Sequence, residues 1–177
     1  RRVLKDLIDS LTRQGFRDIL ISNSHGGNIV AMQQILDELA PKSKATLVAT
    51  TYVKEAGEGL AQHLEDQEGI MHACEGETSM MLVCQPDLVD MSSIDKLASP
   101  KSSSNFLSAG KCSYRWRSFT HMTENGVAGN PSRSNASKGE KMLDASANAL
   151  ATLLMDPQTW ASQKDLRLTE IGGVPFR

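Results

Sequence analysis

Apolar residues change their spacing three times within the first 53 positions, and that order narrows the fold at once. Val3, Leu4, Leu7, Ile8 and Leu11 recur at helical spacing, with Lys5, Asp6 and Asp9 on the other side and Gly15 as a stop signal. Residues 18–23 read as a short strand around Ile19-Leu20-Ile21, apolar enough to be buried on both faces. A helix follows over residues 28–39, carrying Ile29, Met32, Ile35, Leu36 and Leu39 on one side and ended by Pro41. Residues 45–53 are rich in β-branched side chains and read as a second strand. Helix, strand, helix, strand in this order predicts an α/β fold, a mainly parallel sheet flanked by helices. In such sheets ligands gather at the carboxyl ends of the strands.

The rest of the chain is less regular. Leu60 and Leu64 mark a short helix, and a buried helix is expected from Glu77 to Cys84, stopped by Pro86. Residues 92–118 are an irregular Ser- and Lys-rich stretch; with few aromatics (Tyr114, Trp116) it reads as a solvated loop rather than a nucleic-acid surface. Residues 124–135 are turn-rich, and Ser137-x-x-Glu140 resembles a capping box. The last helix places Met142, Leu143, Ala149, Leu150, Leu153 and Leu154 on one face. His63 and His121 read as surface residues, and Trp160 and Phe176 as packing or subunit contacts.

A chain of 177 residues suits a single domain with a sizeable core. Its longest apolar run, residues 80–84, is far too short for a membrane span or a signal-peptide core. Nineteen Lys and Arg against 21 Asp and Glu leave a formal charge of −2, so no global field attracts nucleic acid or an anionic membrane. Cys74, Cys84 and Cys112 are an odd count without framework spacing, which points to a reducing, cytoplasmic setting.

Two stretches carry chemistry. In Ser22-Asn23-Ser24-His25-Gly26-Gly27-Asn28, a histidine sits at a strand's carboxyl end, ahead of a helix. Two glycines there would let the backbone take positive φ and approach a ligand. A plain strand-to-helix turn with a hydrogen-bonded surface His is the alternative. In His72-Ala73-Cys74-Glu75-Gly76-Glu77-Thr78-Ser79, an imidazole, a thiol and two carboxylates lie close in sequence. A carboxylate there could bind an ion, act as base or orient a His, or simply cap the next helix. A thiol nucleophile formed by Cys74 with His72 is geometrically conceivable; a zinc knot of His72, Cys74 and Cys84 lacks the usual paired spacing.

Together the two stretches resemble the creatininase family of metal-dependent amidohydrolases. The family's Asn-Gly-His-Gly-Gly-Asn is matched by Asn23 to Asn28 at every position but one. Its His-Ala-Gly-Glu-x-Glu-Thr-Ser is matched by His72 to Ser79, with Cys74 in place of Gly. A looser third match runs over Gly126-Val127-Ala128-Gly129-Asn130-Pro131, Ala136 and Lys138-Gly139, and the similarity covers residues 3–155. The resemblance implies an enzyme that hydrolyses a cyclic or formyl C–N amide bond of a small molecule. It implies one or two divalent ions (Zn, Mn or Fe) and a homo-oligomer, usually a hexamer. By the same resemblance His25 is a metal ligand, His72 the proton shuttle and Glu77 a nearby acidic site residue. Gly26, Gly27 and Glu75 are expected to face the substrate.

Two departures qualify it. Family members carry a Glu-x-His-Gly-x-His-Leu-Pro segment with a following Asp, which supplies most remaining ligands, and nothing here matches it. One His and one Glu are too few for a tight catalytic centre. The expectation is therefore the C-terminal part of a longer protein, the alternative a non-catalytic member serving as a structural subunit. Creatinine-specific members have Tyr-Glu at Gly26-Gly27 and Trp at Glu68, so a substrate other than creatinine is expected.

Overall fold

A computed structural model describes residues 1–97 and 116–163. The chain forms two compact units, Arg1–Glu55 with Leu150–Arg177, and Ala56–Ala149.

In the first unit, helix α1 (Arg2–Arg13) leads through Gly15, at φ +101°, into strand β1 (Asp18–Asn23), with the bounds the sequence predicts. A 3-10 turn (Gly26–Asn28) opens helix α2 (Ile29–Leu39), and a second (Ala40–Lys42) carries the chain past Pro41 to strand β2 (Thr46–Thr51). β1 and β2 pair in parallel from Asp18↔Thr46 to Asn23↔Thr51. Ile8 of α1, Ile19 of β1 and Ala45 form the core here, with Leu11, Ile21, Leu39 and Leu47 packed against it.

Two expectations need correcting. Strand β1 is not buried on both faces: Ile19 is buried, but Leu20 and Ile21 are half-buried, in a sheet of two strands among the described residues. β2 is also shorter than its β-branched run suggests. Tyr52 and Val53 turn into a one-turn helix, α3 (Tyr52–Glu55), where the hydrogen bond from Thr50 Oγ1 to Glu55 follows the bend.

The second unit contains helices α4 (Gly57–Ala61) and α5 (Glu75–Cys84) and the first part of α6 (Ala136–Met155). Its core is Leu60, Cys74, Met80, Ile94, Val127 and Met142. α5 starts two residues earlier than predicted, after Cys74. α6 is capped by Asn135, whose Oδ1 accepts from the Lys138 N–H at 2.9 Å, so Ser137 lies inside the helix and not at a capping box. Its buried stripe in this unit is Gly139, Met142 and Ser146. The turn-rich reading of residues 124–135 matches Gly126 at φ +89° and Gly129 at φ +117°. Of the irregular stretch at 92–118, the structure shows a 3-10 segment at Met91–Lys96; residues 98–115, with Cys112 and Tyr114, and Phe176 lie outside the described residues. No helix of the described residues is long and apolar enough to cross a membrane.

Candidate active site

In the first unit the predicted residues gather at the carboxyl ends of the parallel strands. Asn23 ends β1 and is buried; its Nδ2 donates to His25 O at 2.7 Å and to Thr51 Oγ1, at the end of β2, at 3.0 Å. Its Oδ1 accepts from the His25 N–H at 3.2 Å and from Asn28 Nδ2 at 3.3 Å. One buried side-chain amide therefore ties the two strand ends to the loop that presents His25. Asn23 lies within the motif, yet no site role was expected of it. Its signal was available: an Asn at a strand end, two residues before another group, closes an Asx-type turn.

His25 is exposed and extended at φ −133°. The double glycine works differently from expectation, because neither Gly26 nor Gly27 has positive φ. The chain turns there in 3-10 conformation, which any residue adopts. What Gly27 provides is room: a Cβ on it would sit 2.9 Å from His25 Nε2 and 3.1 Å from Cδ2, whereas one on Gly26 would meet nothing within 4 Å. The imidazole lies back over the Gly27 Cα. Gly27→Ala is accordingly expected to swing the ring aside with little change in unfolding free energy, and Gly26→Ala to leave it in place. Comparing the His25 ring NMR signals in the two variants checks this; equal displacement in both would refute it.

In the second unit His72 is exposed, with its backbone bridged antiparallel to Ala128, whose N–H donates to His72 O at 2.8 Å. Ala73 follows at φ +48°, a left-handed conformation unusual for a residue with a Cβ. Glu77 Oε2 accepts from the Ala73 N–H at 2.6 Å, and Thr78 Oγ1 donates to Ala73 O at 3.4 Å. Glu77 thus holds the turn that presents His72. Cys74 is fully buried, its Sγ accepting from the Met71 N–H at 3.3 Å, which leaves no thiol surface for a nucleophile.

Glu75 is also fully buried. Its carboxylate accepts from the Glu65 N–H at 3.1 Å and from Lys138 Nζ at 2.6 Å, so it has no surface open to a small molecule here. Lys138 Nζ also bonds Glu65 and donates to Arg133 O at 2.9 Å. Burial alone would lower the Lys138 pKa, but the hydrogen bonds to Glu65 and Glu75 outweigh it and hold the ammonium above the ordinary lysine range. Lys138 in turn keeps the exposed Glu65 below the usual carboxylate range. His63 is half-buried and His121 exposed.

Among the described residues no three His, Cys, Asp or Glu side chains are placed to hold a metal ion. His25, with an Asn, a Ser and two glycines around it, is at most one ligand of such a centre. The residues present do not by themselves fit the divalent ion that the family resemblance implies.

What these features define is an α/β chain with a histidine on a sheet rim and a second histidine on a strained turn. The profile of the creatininase family, described as creatinine amidohydrolase, matches residues 1–154, and the chain belongs to that family. The fold is that of solved relatives. A candidate creatinine amidohydrolase from Bacteroides fragilis NCTC 9343 superposes with TM-score 0.68 at 27% identity, covering 94% of this chain and 62% of its own. A creatininase aligns with TM-score 0.65 at 21% identity (91% and 63% covered), and a Mn creatininase with 0.62 at 22% (86% and 61%). The chain thus spans under two thirds of the length of these relatives. Among curated proteins no relative matches.

Proposed function

We propose that this chain is the part of a creatininase-type amidohydrolase that carries the proton-transfer histidine, and that its substrate is a small cyclic amide or formamide. The observation that carries the reading is His72: an exposed imidazole on a turn held by Glu77 and Ala128, within a motif of the family. An amide nitrogen leaves poorly unless it is protonated, so an oriented imidazole beside the scissile bond is the acid this reaction needs. In this reading Glu77 acts by fixing the Ala73 peptide and thereby the imidazole. Gly26 presents open backbone to a substrate, and Gly27 gives the His25 ring the room to lie beside it.

A divalent ion belongs to the same proposal, supported by relatives of this fold that include a Mn form and a Zn-Zn form. When bound, such an ion ionises water near neutral pH. His25 would supply one ligand, and the others would come from outside the described residues. Calorimetric titration of this chain with zinc or manganese is therefore expected to show no tight stoichiometric binding; tight binding would overturn the ligand assignment. A homo-oligomer in the cytoplasm is part of the reading.

The functional test is hydrolysis by the natural protein. Turnover of a formamide or cyclic amide should be lost in His72→Gln while the fold, followed by circular dichroism, is kept. The donor-poor surroundings of His25 favour one rival, a structural subunit without chemistry, and no activity in the natural protein would favour it; full activity in His72→Gln would instead take His72 out of the chemistry.

A further inference from the structure

The His72 ring does not stand alone. Phe119, at the start of a 3-10 turn (Phe119–His121), meets it edge-on, with ring centroids 4.6 Å apart and planes at 65°. Phe119 lies 47 positions further along the chain, outside all three matched motifs, and none of the expected site roles fell on it. We propose that Phe119 is a positioning residue for His72, a wall that selects the orientation of its imidazole; its importance for turnover rests on the function proposed above.

The backbone at His72 is fixed by the bridge to Ala128, and the next residue is held left-handed by Glu77 and Thr78. Those contacts set where the Cα–Cβ bond points and leave the ring two rotations, χ1 and χ2, of which χ2 is soft. No hydrogen bond to either ring nitrogen accompanies the Phe119 contact among the described interactions, so the aromatic edge is what restricts χ2. Aromatic rings prefer this edge-to-face arrangement over a stacked sandwich, which gives the contact direction as well as area. Phe119 is 40% exposed, as befits a residue at a rim more than one in a core. A displaced general acid loses rate steeply, since misplacement of about 1 Å costs on the order of a hundredfold.

The test is NMR on the full chain, with His72 ring signals assigned by their loss in His72→Gln. In the wild type, cross-relaxation between the His72 and Phe119 ring protons is expected, with His72 shifts displaced from free-imidazole positions. F119L should abolish both effects and leave the amide spectrum elsewhere unchanged; F119Y should restore them. Unmoved His72 signals in F119L, or absence of the ring–ring cross-peak in the wild type, would overturn the proposal. Should F119L fail to fold, the wild-type cross-peak decides alone. The readout requires no turnover, so a protein that hydrolyses nothing would sink the functional reading and leave this one standing.

Discussion

Lys138→Met is expected to lower the unfolding free energy by about 3 kcal/mol, seen as a lower midpoint in urea, because it strands a fully buried carboxylate. Removing one partner of a buried ion pair typically costs about 3–5 kcal/mol, most of it the penalty of leaving the other charge unpaired. The lower end applies because the Lys138 side chain keeps 17% of its exposure, while Glu75 keeps none. If the loss stems from the orphaned charge, adding Glu75→Gln should recover much of it, since a neutral amide oxygen still accepts from the Glu65 N–H. A double variant no more stable than Lys138→Met would place the loss in packing.

The same cluster sets a pH dependence. The folded state holds the Lys138 proton more tightly than an unfolded chain does, so this stabilisation is complete below the ordinary lysine range and fades as pH rises through the elevated pKa. At the acid end Glu65 behaves oppositely: its depressed pKa adds stability above the ordinary carboxylate range, lost as pH falls through the lowered value. Lys138→Met should flatten both limbs.

Gly139→Ala is the second large effect. A Cβ there would overlap the Ser79 carbonyl oxygen, come within 2.6 Å of its carbon and within 2.8 Å of Val83 Cγ2. Two of those three atoms are backbone, which does not rotate aside, so α6 must retreat from α5. Overpacking typically costs about 1–3 kcal/mol, and the upper end applies when the obstacle is main chain. Against it, Ala is a better helix former than Gly by about 1 kcal/mol. The clash wins, with a net loss of about 2 kcal/mol. Gly57→Ala is the control: a Cβ at this helical position would meet nothing within 4 Å, so it should be neutral or slightly stabilising in the same urea titration. Equal losses in both would remove the close-approach argument.

These two residues show what could be read from the chain and what could not. Family resemblance picked out Lys138-Gly139, but the reason for each appears only in space. Lys138 and Glu75 are 63 positions apart, and nothing in a charged side chain's neighbours announces that it will be buried. Local pattern served well where one physical preference dominated: β1 has the bounds its short apolar run predicts, and α1 ends just before a glycine. It failed where tertiary contacts choose among near-equal options. Tyr52 and Val53 favour strands yet wind into α3, and Ser137 could cap a helix yet Asn135, two residues earlier, does so. The glycine pair was legible as special but for the wrong reason, since its value lies in space for an imidazole. Ala73 is the hardest case, because no alanine advertises a left-handed turn; the Glu77 carboxylate four residues on imposes it.

Asn23 has a last implication. Its carboxamide anchors His25 through main-chain atoms only, touching neither Gly26 nor Gly27. The His25 main chain is thereby insulated from whatever side chains follow it. Position 26, where a Cβ would meet nothing within 4 Å, becomes an interchangeable fitting on a permanent bracket, and a new side chain could be installed there without relocating the histidine.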